Sequence, residues 1–148
     1  MSRLLKKILF FFSSFLLKKE HEKTKINTLK ISDDIILNVM DKLSDFENKQ
    51  GFLKPMTLHK LAKKLKTNPK YLSKIINNHY QKNFSSYIND LRIKYVLKEL
   101  KTDDSLKTTT VKALAKRIGF GNTESFAKTF KKHTGENPSN YLNSLNHK

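Results

Sequence analysis

From Thr57 onward the apolar residues fall into short stripes at three- and four-residue spacing. Leu58, Leu61, Ala62 and Leu65 stand at i, i+3, i+4 and i+7, which predicts a helix with one apolar face. Thr57 can cap its start. Lys66-Thr67-Asn68-Pro69 interrupts the pattern, with proline placed where a first helical turn tolerates it. A second helix, over about 70–78, points Leu72, Ile75 and Ile76 inward. Further along, Val111, Leu114, Ala115 and Ile118 form the same stripe again. Gly119 follows where a left-handed helix end is cheap only for glycine. Phe120 plugs inward, Asn122 or Thr123 caps, and Phe126 and Phe130 face a core one turn apart. Between these blocks, residues 86–100 read as a connecting helix through Tyr87, Leu91, Val96, Leu97 and Leu100, spanning about 22 Å. Asp103-Asp104 reads as a surface loop. Upstream, Ser32 to Asn48 reads as an amphipathic helix with Ile36, Val39, Met40, Leu43 and Phe46 on one side. With only 4 Gly and 3 Pro there are few turns for an all-β chain, so the pattern predicts an all-α fold.

The blocks are copies of one another. Residues 57–65 resemble residues 110–118 at an offset of 53, Thr57 on Thr110 and Ala62 on Ala115. One residue of slippage later, Lys74 falls on Lys128, His79 on His133, Asn83 on Asn137, Ser85 on Ser139 and Tyr87 on Tyr141. Leu72 then matches Phe126, and Ile76 matches Phe130. The small Ala62 and Ala115 sit where two crossing helices approach most closely, and each copy reads as helix, short turn, helix.

Charge sharpens this picture. The chain of 148 residues carries a formal +17, yet residues 1–50 contribute only +3 and residues 51–148 contribute +14. The lysines of the second region are interleaved with apolar residues at helical spacing, which describes a folded basic surface and makes nucleic acid the favoured partner. Cysteine is absent, which excludes disulfides and thiolate metal sites. The sequence contains no phosphate-binding glycine loop, no H-E-x-x-H and no G-x-S-x-G, so neither an enzyme nor a cofactor is expected. His59 reads as exposed, while His79 and His133 sit near helix ends, where histidine suits the helix dipole.

Ala115, Ile118-Gly119-Phe120, Phe126, Phe130-Lys131-Lys132, Gly135, Pro138 and Tyr141 stand in the order and spacing of the AraC/XylS signature. Tyr71-Leu72-Ser73-Lys74 and the run from Asn83 to Arg92 resemble that family's first helix-turn-helix and linker helix. The resemblance covers about Pro55 to Leu145 and implies two helix-turn-helix units in a homeodomain-like bundle, placed in successive major-groove segments of double-stranded DNA to regulate transcription. RNA polymerase is then a candidate partner. Gln81 departs from the pattern, standing where the duplicate has Gly135, so the first recognition helix is expected to end in a strained cap. From about Ile31 onward the chain is also similar to the juncture before the DNA-binding end of membrane-anchored Bacteroidetes regulators. Inward-facing Leu72, Ile75 and Ile76 leave Lys70, Ser73, Lys74 and Asn77 outside; inward-facing Phe126 and Phe130 leave Thr123, Glu124, Ala127, Lys128 and Lys131 outside. Lysine can donate to guanine or phosphate, asparagine can pair with adenine, and Glu124 can accept from cytosine or complement the helix N-terminus. Thr57, Thr110 and nearby lysines are candidates for phosphate contacts.

Three segments follow: 1–30 as a basic and apolar N-terminal stretch with linker, 31–54 as an amphipathic helix and connection, and 55–148 as the double helix-turn-helix domain. The run from Ile8 to Leu17 is too short for a transmembrane helix, which needs about 18 residues. It stands as an interfacial membrane contact, the remnant of a longer anchor, or a helix for a partner. Export would separate the chain from DNA, so a cytoplasmic site is expected, with contact to the inner membrane face as an option. The helix from Ser32 to Asn48 can dock on the first unit or pair with a second copy as a homodimer. The alternative reading is a membrane-surface module whose basic helices bind anionic lipid head groups. The duplicated inward aromatic pattern argues against it, because a lipid-binding helix needs no repeated core.

Overall fold

The computed structural model describes residues 6–10, 13 and 30–147. All of the linker reading over 18–30 except Lys30, and most of the apolar run 8–17, lie outside the described residues. Where described, the N-terminal stretch is helical over 6–10, and Leu9 and Phe10 are exposed. Helix α1 (Asp33–Asn48) is followed by a 3-10 turn at Gly51–Leu53. Helices α2 (Leu58–Lys64) and α3 (Pro69–Tyr80) form the first helix-turn-helix, and α4 (Phe84–Glu99) leads away from it. A single helical turn, α5 (Asp104–Lys107), precedes the second helix-turn-helix of α6 (Val111–Arg117) and α7 (Thr123–Thr134), and α8 (Pro138–Asn146) closes the fold. The described residues contain helices and no strand, as the periodicity predicts.

Helices α2 to α7 each start where a side chain satisfies a first-turn N–H that has no carbonyl partner, whereas Ser32 before α1 and Asn137 before α8 make no side-chain cap bond. Thr57 Oγ1 accepts from Lys60 N at 3.2 Å and Thr110 Oγ1 from Ala113 N at 3.1 Å. Asn68, Asn83 and Asn122 Oδ1 accept from Tyr71, Ser86 and Ser125 N at 2.8, 2.9 and 2.7 Å. The Asn83 cap explains why α4 begins at Phe84, two residues before the periodicity places it. Asp103 is a cap as well, its carboxylate accepting from Ser105 N at 3.0 Å. The acidic pair therefore opens α5 and sends Leu106 into the core; it is not a plain surface loop.

Two cores result. The first holds the apolar face of α1 together with Phe52, Leu61, Ala62, Leu65, Leu72, Ile75, Ile76, Tyr87 and Ile88. The second holds Ile93, Val96, Leu100, Leu106, Leu114, Ala115, Ile118, Phe120, Phe126, Phe130 and Leu142. Helix α4 thus gives its first half to one core and its second half to the other. At the same offset of 53, Met40 corresponds to Ile93, Leu43 to Val96 and Leu53 to Leu106, all of them core or core-packing residues. Helix α1 stands to the first unit as the second half of α4 stands to the second.

The 32–48 helix docks on the first unit. Ile36, Val39, Met40, Leu43 and Phe46 are all buried against the first unit. Lys42 Nζ donates to Leu65 O at 2.9 Å, a cation on the carbonyl end of α2. Glu47 accepts the hydroxyls of Tyr80 and Tyr87 at 2.7 and 2.9 Å. Burial and the neighbouring Glu47 push both phenols above their ordinary range, so they remain donors.

Candidate nucleic-acid interface

The two second helices of the units, α3 and α7, are 12 residues each and bury the same kind of stripe. Leu72, Ile75 and Ile76 are buried under α3, and Phe126 and Phe130 under α7. In the second unit the rings form a run: Phe120 to Phe126 at 5.3 Å, Phe126 to Phe130 at 5.5 Å, Phe130 to Tyr141 at 5.2 Å. With those faces fixed, the opposite faces carry the polar residues. Lys70 and Asn77 are exposed, and Ser73 and Lys74 half-buried, on α3. On α7, Glu124, Lys128 and Lys131 are exposed, and Thr123 and Ala127 half-buried. All nine residues therefore lie on the two recognition helices and none is in a core. Ahead of each, α2 and α6 present exposed Lys60, Lys63, Lys64, Lys112, Lys116 and Arg117. Thr57 and Thr110 are spent as acceptors for helix N–H groups, which leaves their hydroxyl protons free to donate.

The turns between the paired helices differ in one respect. The second uses Gly119 at φ 90, and a Cβ there would come within 2.5 Å of Leu53 O. The first has Lys66 at the equivalent place, left-handed at φ 55. The pattern repeats at the ends of the recognition helices, where Gly135 has φ 82 and Gln81 φ 55. The strained cap at Gln81 is present, and its side-chain Nε2 donates to Asn78 O at 2.7 Å, satisfying one helix-end carbonyl. Lys66 carries the same strain, and the repeat alignment with Gly119 was the available signal for it.

The histidines do more than sit at helix ends. His133 Nε2 donates to Asp90 Oδ1 at 2.6 Å, joining α7 to α4, and Lys82 pairs with the other oxygen of Asp90. Asp90 itself is only 8% exposed. Its burial alone would raise the carboxyl, but the hydrogen bonds and charges of Lys82 and His133 outweigh that and hold it below the usual range. His79 packs edge-on against Tyr80 at 4.5 Å; burial and the charge of Lys7 lower its pKa. Lys7 reaches Glu47 at 3.4 Å. His59 is exposed. Among the described residues no group of three or more His, Asp or Glu could hold a metal ion, and no helix is long and apolar enough to cross a membrane.

A family model described as a helix-turn-helix domain matches residues 61–144. The chain is 35% identical over 75 residues to the uncharacterized transcriptional regulatory protein YesN of Bacillus subtilis, covering 50% of this chain and 20% of that one. It thus spans about a fifth of the length of that curated relative. ToxT of Vibrio cholerae superposes with a TM-score of 0.56 at 30% identity, over 90% of this chain and 47% of its own. The DNA-binding domain of AdpA, solved in complex with a target DNA, superposes with a TM-score of 0.60 over 72% of this chain and 91% of its own. Its identity of 14% makes it a likeness of fold alone.

Proposed function

Because this chain belongs to the AraC-type helix-turn-helix family of transcription regulators, we propose that it reads a specific DNA sequence with both units of one monomer. Helices α3 and α7 enter successive major-groove segments about 10 base pairs apart. The observation that carries this is the duplicated presentation: two equivalent helices, each with an apolar face in its own core and a polar, lysine-bearing face outside, in a region of net +14. Residues 55–148 act as the reading domain and α1 as its structural cover.

In this reading Lys70, Lys74, Lys128 and Lys131 donate to guanine or to phosphate, and Asn77 pairs with adenine. Glu124 is exposed in the first turn of α7 and supports that helix N-terminus or accepts from cytosine. Ser73, Thr123 and Ala127 contact whatever base edge faces them. The units carry different side chains, so the site is asymmetric, unlike the palindrome of a dimer with one reading helix per subunit. The chain acts with chromosomal DNA in the cytoplasm, and RNA polymerase is its protein partner there. A homodimer would use a surface other than the buried apolar face of α1, and membrane contact would fall to the run from Ile8 to Leu17, in which Leu9 and Phe10 are exposed.

Selection of bound duplexes from a randomised library, followed by hydroxyl-radical footprinting, tests this. Two protected segments on one face of the duplex are expected, with log affinity falling against log salt at a slope of about −5 to −9 for ~6–10 phosphate contacts. Lys74→Ala and Lys128→Ala should each cost about 1–3 kcal/mol, at different base positions. Lys49→Ala, at the C-cap of α1, should cost no measurable affinity. No enrichment of any sequence, with equal binding to anionic vesicles, would refute the reading in favour of a lipid-binding module.

A further inference from the structure

The least expected side chain in the fold is Arg92, in the middle of α4 and only 6% exposed. Its guanidinium makes a fork of hydrogen bonds: Nε to Phe52 O at 2.7 Å, Nη2 to Lys54 O at 3.1 Å and Nη1 to Asn89 Oδ1 at 3.2 Å. Phe52 and Lys54 belong to the strap between α1 and α2, on the first unit. The guanidinium also lies over the ring of Phe120, 5.5 Å from its centroid, in the turn of the second unit. Gly119 completes the junction, because a side chain there would strike Leu53 O at 2.5 Å and Arg92 Nη2 at 3.0 Å. One buried cation thus touches the strap of one unit, the helix between them and the turn of the other. Around it the units part into a cleft of about 210 Å³ bordered by Ser85 and Asn89 on one side and Gly121 and Ser125 on the other. Two residues earlier on α4, Asp90 takes Lys82 from the exit of α3 and His133 from α7. The two recognition helices are thereby tied to the same stretch of α4 by side chains that face neither core.

We propose that Arg92, assisted by Asp90, is a positioning residue that fixes the separation and relative rotation of the two reading helices, and so sets the spacing of base pairs the protein accepts between its two half-sites. This rests on the two-groove reading above. A planar guanidinium suits the task because it offers several donors in one fixed plane and a flat face for the aromatic ring, which an ammonium cannot reproduce. With the fork removed, the buried bond to Phe52 O and the part-buried bond to Lys54 O are lost, and Gly119-Phe120 loses the surface that holds the second unit against the strap.

The chain has no cysteine, so labels can be placed at will. Lys63→Cys and Lys116→Cys, exposed and equivalent in the two units, carry spin labels for a distance distribution on the full chain without DNA. A single narrow distribution is expected. Arg92→Lys should widen it about twofold or more, and His133→Ala, at a partly exposed site that tolerates truncation, should widen it to a lesser degree. Leu142→Ala serves as the control: it weakens the second core without touching the junction and should lower thermal stability while leaving the width unchanged. On the duplex the wild-type chain selects, inserting one base pair between the half-sites should cost wild type about tenfold in affinity, and Arg92→Lys threefold or less. Equal widening by Leu142→Ala, or an unchanged width in both Arg92→Lys and His133→Ala, overturns the proposal. If wild type selects no duplex, the two-groove reading fails, while the distance measurement still decides whether Arg92 holds the units together.

Discussion

Replacing Phe126 by alanine strikes the second unit at its centre. The ring is completely buried, with Phe120 at 5.3 Å and Phe130 at 5.5 Å. Truncating a buried phenylalanine costs about 3–5 kcal/mol through lost transfer energy and the cavity left behind. The two ring contacts belong within that figure rather than on top of it, since each is worth about 0.5–1.5 kcal/mol and both vanish with the same ring. Against a total of roughly 6–18 kcal/mol for a domain the size of residues 30–147, the loss is a large fraction. At about 4 °C per kcal/mol, the thermal midpoint should fall by roughly 12–20 °C. Circular dichroism melts and urea titrations of wild type, Phe126→Ala, Phe126→Leu and Lys128→Ala measure it. Phe126→Leu keeps most of the volume and should cost less than about 1.5 kcal/mol. Lys128→Ala, on the opposite face, should stay within about 0.5 kcal/mol. A midpoint shift below about 4 °C for Phe126→Ala, with an unchanged urea slope, would mean that the ring is not in the core and that the outward face assigned to α7 is misplaced.

Other outcomes follow from neighbouring features. A chain started at residue 51 should fail to form the first unit, because it lacks Ile36, Val39, Met40, Leu43 and Phe46, whereas one started at residue 31 should fold; amide spectra of α2 and α3 distinguish the two. Lys66→Gly should add about 0.5–1 kcal/mol of stability, read from urea titrations, by relieving the left-handed backbone, and Gln81→Gly should gain less because it forfeits the bond to Asn78 O. Asp90 is held below the usual carboxylate range, so its pairing stabilises the fold above the ordinary carboxylate pKa and is lost as pH falls through the lowered one. Asp90→Asn should therefore destabilise at neutral pH and flatten the acid limb of a stability-against-pH curve; an acid limb identical to wild type would refute the pairing.

Periodicity and duplication made most of this architecture legible. The stripes of α2, α3, α6 and α7 lie on one face each, so their inward residues follow from spacing alone. The outward faces of α3 and α7 follow by subtraction, and so do the candidate reading residues. What stayed hidden lies where a helix serves two masters. In α4 and its C-cap the apolar residues Tyr87, Ile88, Ile93, Val96 and Leu100 point around the helix because two cores claim it, and no single stripe can describe that. Arg92 and Asp90 look like ordinary exposed charges in a one-dimensional reading; only the strap at Phe52–Lys54 and His133, some 40 residues away in either direction, bury them. Asp103 shows the reverse difficulty, a cap whose helix is only one turn long.

The double allegiance of α4 also bears on how the molecule opens. If each unit had its own complete set of helices, one could melt while the other persisted. Here neither core survives the loss of α4, for it supplies Tyr87 and Ile88 to one and Ile93, Val96 and, at its C-cap, Leu100 to the other. The amide protons along its middle can meet solvent deuterium only when both cores come apart, so they mark the slowest-exchanging segment of the chain. Fraying is left to the outer ends of α1 and α8, and the two helix-turn-helix units share one fate: the protein holds both or neither.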